Sequence, residues 1–469
     1  MSIGLFGALN MGSRSLQVQQ QGIEVAGHNM ANVNNPGYAR QRLTIVTSNP
    51  ISNANFTQGT GAHVAQISQI RNALLDGEIV TEGSFTGSLD AQQQALQYAQ
   101  ANLGQEIDRN GAVAGTTQLG IGDSISDLFN AWSSLANPAS GPTERSQVLS
   151  AAAQMADRFQ QTDKRLAALN DQLNTQVEGD VSEINNLLDD VARLNQRIGA
   201  AEIGGENVAN DIRDARQSKL EQLGKLVKFD AIAGNAGSVD ISIGGVIMVD
   251  GPTVRDRLET FDAGNGKTMV RAAAASQPLD ITGGRLHGAI AARDETIQKL
   301  RDDLSQLATT IISEVNRVHQ GGFGLDGTTG ANFFEGTNAS DITVNPALLE
   351  DARRLQASDT EGTAGNKAVA TALAQLARAP QDALGGKTFS QNYSAIVADL
   401  GKSLSDVNDR LSDQGVVANM LQRQRDSVSA VNMDEEMTDL IKYQKAYQAS
   451  AELMNVINEM LETVINIMR

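Results

Sequence analysis

At 469 residues with 41% hydrophobic side chains, the chain has material for roughly two to four folded domains. Its net charge of −18, without any Lys/Arg-rich run interleaved with aromatics, argues against nucleic acid and against anionic membrane surfaces as partners. The lack of cysteine excludes disulfides, thiolate metal sites and cysteine nucleophiles, and no stretch nears the roughly eighteen apolar residues of a membrane span.

Met1 to Gly7 carry neither a basic region nor a hydrophobic core suited to a cleaved secretion signal. Leu5, Leu9, Gly12, Leu16, Gln19, Ile23, Ala26 and Met30 then alternate at four and three, the period of a coiled-coil seam. Gly12, Gln19 and Ala26 weaken that seam, so the helix should be marginal alone yet able to pack closely on others. After it comes Ala31-Asn32-Val33-Asn34-Asn35-Pro36-Gly37-Tyr38. Asn32 is suited to a helix C-cap, Pro36 drives Asn35 out of the helical region, and Pro36-Gly37 fits the centre of a type II turn. Residues 1–76 thus read as a coiled-coil helix followed by an extended connector, with a hairpin possible near Leu43 to Val46.

Residues 77–224 form the first half of a helical domain. Phe85, Leu89, Leu96, Ala99 and Leu103 mark one helix, ending near Asn110-Gly111. Ile121, Ile125, Leu128, Trp132 and Leu135 mark a second, with Asn137-Pro138 as its stop and Trp132 on its core face. Pro142 opens the longest helix; its heptad phase shifts by four between Leu173 and Val177, which predicts local unwinding or a bend around Gly179.

At residues 225–280 the period changes. Val239, Ile241 and Ile243 alternate with polar residues before Gly244-Gly245, which predicts a small inserted β domain. No phosphate-loop spacing accompanies its glycines. Residues 281–431 resume the helical domain with Leu286, Ile290, Ile297, Leu300, Leu304, Leu307 and Ile311. Asp326-Gly327 lacks the ligand alternation of a calcium loop and reads as a structural turn.

Residues 432–469 contain no Gly or Pro and read as one long coiled-coil helix. Asn432 caps it, Glu435 is placed to close a capping box, and Leu440, Tyr447, Met454, Leu461 and Ile465 belong to its apolar seam. The fold class is therefore mainly α: terminal coiled-coil helices and an elongated bundle built from both chain halves, with a small inserted β domain. The two terminal seams should bury little against the rest of the chain. No catalytic constellation is found; His28, His63, His287 and His319 each stand alone, so neither an enzyme nor a cofactor or metal site is expected.

Residues 31–40 closely resemble the ANxxTPGY signature of bacterial flagellar rod, hook and hook-associated proteins, with Asn35 where Thr is common. Val431-Asn432-Met433-Asp434-Glu435-Glu436, followed by Tyr443 to Ala451, resembles the family's matching C-terminal signature. Ser134 to Pro138, Gly284 to His319 and Asn332-Phe333-Phe334 resemble hook-associated protein 1, the FlgK family, although the middle of this chain is shorter. The resemblance implies a structural subunit of the hook–filament junction that polymerises through its terminal helices. Leu9, Leu16, Ile23 and Met30 would then face Leu440, Tyr447, Met454, Leu461 and Ile465 between subunits, with Asn32, Asn35, Pro36, Gly37 and Tyr38 as the signature turn. It implies as partners further copies in a ring, the hook protein, the second junction protein of the FlgL family, and an export chaperone of the FlgN family on the C-terminal helix. It also implies a place in the extracellular flagellum, reached through the type III apparatus without a cleaved signal. A flagellin-like or hook-like subunit, or a secreted adhesin using the β domain, is the alternative.

Overall fold

The computed structural model describes residues 4–53, 56–103, 120–137, 139–203, 208–264, 266–275 and 277–467. The helix end expected at Asn110-Gly111 and the stop at Pro138 lie outside the described residues.

Helix α1 (Leu5–Ala31) leads into β1 (Gln41–Thr47), β2 (Ile51–Asn53), β3 (Phe56–Gln58) and β4 (Ala62–Gln69). Strand β1 pairs antiparallel with β4, and β2 with β3, so the connector is a long hairpin. Val18 and Val25 of α1 pack on Leu43, Val64 and Ile67 of that hairpin, which gives the first stretch a small core of its own.

Four helices follow: α2 (Ala73–Asn102), α3 (Ile121–Leu135), α4 (Pro142–Ala201) and α5 (Asn210–Leu226). Pro142 sits at the start of α4, where its missing N–H costs nothing. The expected unwinding at Gly179 does not occur: α4 runs 60 residues as unbroken α-helix. A stutter unwinds a helix only when one coiled-coil partner must be followed throughout. Here α4 meets α3, α5, α7 and the β domain in succession, so no single seam has to be kept in phase.

The β domain contains β5 (Asp230–Ala233), β6 (Val239–Ile243), β7 (Val246–Asp250), β8 (Thr253–Val254), β9 (Leu258–Asp262) and β10 (Thr268–Ala272). The first four form one antiparallel sheet in sequence order, and β9 pairs with β10. Three asparagines of α4 dock this domain by using their amides as strand partners. Asn174 donates to Gly266 O (2.7 Å) and accepts from Thr268 N (3.2 Å). Asn185 bonds both backbone groups of Leu258, at 2.8 and 2.9 Å. Asn195 donates to Val239 O and Gly251 O and accepts from Val239 N.

The chain then returns through α6 (Gly284–Ala291), a π-helical turn at Ala292–Ile297, and α7 (Gln298–His319). The π turn carries Arg293, which is 2% exposed and bonds Asn174, Thr268 O and Asp294, so it braces the β9–β10 hairpin. Short strands β11 (Phe334–Glu335) and β12 (Thr343–Val344) and helices α8 (Pro346–Glu350) and α9 (Ala368–Gln375) precede α10 (Phe389–Ser429) and α11 (Met433–Ile467). Trp132, Phe159, Phe333 and Phe389 are fully buried in one continuous core drawn from both halves of the chain. Asp326 forms a local turn, accepting from the backbone and hydroxyl of Thr328 (3.0 and 2.7 Å), as the sequence suggests.

Candidate functional site: the terminal helix pair and its polar hub

Helices α1 and α11 lie antiparallel against each other. Gly12 meets Met454, Ser15 Oγ lies 2.8 Å from Ser450 Oγ, Gly22 meets Tyr443, and Asn29 meets Glu436. Numbers rise on one helix as they fall on the other. The expectation that the terminal seams bury little within the chain is therefore corrected: they complete much of their packing with each other. Gly12, which made α1 look weak, helps to admit its partner, and so does Gly22. A Cβ on Gly22 would lie 2.6 Å from the Tyr443 ring, and one on Gly12 2.5 Å from Met454 Sδ.

Of the expected seam residues, Leu9, Leu16, Ile23, Met30, Leu440, Met454 and Leu461 are half-buried, whereas Tyr447 and Ile465 are exposed. Buried positions on the inner faces include Gly12, Gly22, Ala26 and Asn29 of α1 and Glu436 and Ile457 of α11. A second apolar stripe was not picked out in the sequence. Leu453, Val456, Met460, Val464 and Ile467, spaced three, four, four and three, are each 41–78% exposed on the open side of α11. The periodic signal was present but overlapped the first seam.

The signature turn stands at the base of this pair. Asn32 closes α1, donating from Nδ2 to His28 O (3.0 Å). Tyr38 N donates to Asn35 O (3.1 Å), which places Pro36 and Gly37 at the centre of a turn. Gly37 is not among the residues of positive φ, so the turn is not type II. Asn35 Oδ1 supplies the reason, accepting from Gly37 N at 3.2 Å and holding the tip in a different turn.

Tyr38 folds back under α1 and donates to Asn29 Oδ1 (2.6 Å). Asn29 is 1% exposed and fully used: Oδ1 also accepts from Gln41 N (3.0 Å), while Nδ2 donates to Gln41 O and to Glu436 Oε2, both at 2.9 Å. Burial, with Asp211, Asp214 and Glu436 nearby, raises the Tyr38 pKa, so its phenol stays a donor.

Three arginines surround the turn. Arg40 donates to Glu436 Oε1 and Glu435 Oε2, both at 2.6 Å. Asn432 caps α11 as expected, accepting from Asp434 N (3.0 Å), but Glu435 is drawn to Arg40 instead of closing a capping box. Arg71 bridges Asp214 (2.7 Å), Asp76 (3.0 Å) and Gly37 O (3.2 Å). Arg425 joins Glu221 (2.7 Å) to Pro36 O (3.4 Å). Burial raises the Asp214 pKa despite the opposing charge of Arg71. The hub thus ties α1, α11, the hairpin, α2, α5 and α10 together and fixes the direction in which the helix pair leaves the bundle. Sequence reasoning found the turn but not Asn29, Arg40, Arg71, Asp214, Glu221 or Arg425.

Comparisons with known proteins agree with this architecture. Residues 110–334 match the family described as flagellar hook-associated protein FlgK helical domain, and residues 422–467 match flagellar basal body rod FlgEFG protein C-terminal. The chain is 25% identical to flagellar hook-associated protein 1 of Bacillus subtilis, with 98% of each chain covered. It is 22% identical to flagellar hook-associated protein 1 of Salmonella typhimurium, covering 98% of this chain and 99% of the other. Its fold matches that of the flagellar hook junction protein FlgK from Burkholderia pseudomallei with a TM-score of 0.63, at 14% identity, over 75% of this chain and 100% of that one. With the paired termini, the signature turn and the helical domain in one order, the chain is similar along nearly its whole length to the flagellar hook-associated proteins of the FlgK family.

Proposed function

We propose that this chain is a structural, non-catalytic subunit of the hook–filament junction that joins its neighbours through its terminal helices. The observation that carries the reading is the open stripe Leu453, Val456, Met460, Val464 and Ile467 on a helix whose other side is already occupied by α1. A stripe of five exposed large apolar residues is costly in water and calls for a partner. A neighbouring copy can supply one, and a head-to-tail contact repeated around an axis builds a ring or helical wall.

The expected intersubunit residues Leu9, Leu16, Ile23, Met30, Leu440, Met454 and Leu461 keep part of their surface outside the pair, Tyr447 keeps 38% of its surface and Ile465 61%. We place their contact with neighbours on that remaining surface, beside the open stripe. The polar hub makes the pair a rigid arm, so a ring of bundles can hold a ring of helices at one angle. The family resemblance supports the hook protein below, the FlgL-family junction protein above, and a FlgN-family chaperone covering α11 before export through the type III apparatus. The same resemblance supports an extracellular place in the flagellum.

Electron microscopy of cells lacking the gene, with a search for filament protein in the medium, tests this. Normal hooks without filaments, and filament protein shed outside, are the expected result; intact filaments would refute the junction role.

A further inference from the structure

We propose that the cleft beside β5 docks an extended, basic peptide segment of another protein, which adds to β5 as a further strand. Among the described residues strand β5 is an edge, paired only with β6. Gly234 N donates to Ser238 O at 3.0 Å, and the register pairs Ile232 with Asp240 and Asp230 with Ser242. In an antiparallel ladder hydrogen-bonded pairs alternate, so Ile232 and Asp230 bond inward while Ala231 and Ala233 turn their N–H and C=O to the free side. All four residues are exposed, Ile232 by 64%. An unpaired edge of this kind is a template for another strand.

The edge is set within a cleft of about 1060 Å³, walled on its other sides by the start of α2 and by α5. Its cations are already engaged: Arg71 by Asp76 and Asp214, Arg213 by Glu202 (2.7 Å), and Arg216 by Asn195 Oδ1 (2.8 Å) and Gly237 O (2.7 Å). Among the described residues, Glu78, Glu82 and Asp230 in the same cleft have no cation. Only the Arg216 charge, resting on neutral oxygens, stands against those three carboxylates.

Two acceptors of the wall residues are left without donors among the described residues. Glu82 Oε2 and Asn210 Oδ1 are buried without a hydrogen-bond partner, and Asn210 is only 5% exposed. Burial, with Glu78 one turn away, raises the Glu82 pKa, as expected of a carboxylate with no counterion. An extended segment supplies N–H groups to the edge and the orphaned acceptors, and a Lys or Arg side chain supplies the missing cation. A second copy of this chain, with a net charge of −18, is a poor source of such a segment.

The test uses the full chain and two synthetic pentapeptides, acetyl-Lys-Val-Lys-Val-Lys-amide and its Glu counterpart, followed by calorimetry and amide NMR. The basic peptide should bind saturably, perturb the amides of β5, and bind at least about tenfold more tightly than the acidic one. Ala231→Pro removes an outward N–H while leaving the ladder to β6 intact, and should abolish binding. Glu78→Gln with Glu82→Gln, on a helix away from the sheet, should weaken it about tenfold and keeps the test decisive if the proline variant misfolds. Absence of saturable binding, equal affinity for the two peptides, or binding unchanged in the Gln double variant would overturn the proposal.

Discussion

Asn29 donates to Glu436 across 2.9 Å although 407 residues separate them in the chain. This bond, buried at the base of α1 and α11, joins the two ends of the protein where they leave the bundle. All four hydrogen-bonding positions of the Asn29 amide are taken, two of them as donor. Asn29→Asp would set a second carboxylate against Glu436 and Gln41 O. It should cost about 3 kcal/mol. Faster hydrogen exchange in α1 and the first turns of α11, with the bundle core unchanged, is the expected readout.

Gly12 and Gly22 of α1 should respond differently to the same change. At Gly22 an added methyl meets ring atoms of Tyr443, which cannot yield without moving the helix. Gly22→Ala should therefore loosen the pair by about 1–3 kcal/mol of overpacking. At Gly12 the methyl meets the flexible end of Met454, which can swing aside. There the helix propensity gained, up to about 1 kcal/mol, should leave the variant neutral or more stable. Thermal melting of the terminal helices, read from a spin-label distance between α1 and α11, separates the two.

Acid should unfold the bundle through His319. Its ring is fully buried, with Nδ1 2.8 Å from Ala331 O and Nε2 accepting from Gln356 N at 3.1 Å, so the neutral form holds two loops to the end of α7. Burial pushes its pKa down to about 4, below the ordinary value of 6.5. The folded state therefore binds the proton less readily than the unfolded chain. The stabilisation is fully present above pH 6.5 and fades as pH falls towards 4, by about 3 kcal/mol in total. Trp132, linked to His319 through the Phe333 ring, reports this by fluorescence. His319→Gln should flatten the dependence between those pH values.

Among the described residues Arg145 forms no ion pair with a carboxylate, and it is 2% exposed. Its guanidinium instead donates to Ala139 O (2.9 Å) and Leu355 O (2.6 Å), pinning the entry to α4 against the loop after α8. Arg145→Met leaves those carbonyls unpaired and should lower stability by about 3 kcal/mol. Arg145→Lys should recover little, because one ammonium cannot span the fork. Denaturant midpoints measured on Trp132 fluorescence check both.

The helices, the β insertion and the turn were legible because each is written locally. Pro142 starts α4, Asn432 caps α11, and alternation at Val239 to Ile243 marks a strand. The hub was not legible, since Arg71 and Asp214 meet across 143 residues and no periodicity announces a polar contact. Nor did spacing show that Asn174, Asn185 and Asn195 lie on one side of α4 to hold the β domain. The terminal helices show how the same residues can mislead. Gly12 reads as a gap in a seam, yet its small size is what lets Met454 of α11 approach.

The role of the open stripe on α11 is tested most directly by the fraction of hooks that carry filaments in cells whose only copy is Val456→Asp with Met460→Asp. Both positions are about half exposed and lie away from α1, so the helix pair should persist. With the variant present outside the cell, the account predicts bare hooks. Filaments at the normal frequency would contradict it, and would mean that neighbouring subunits are joined by some other face.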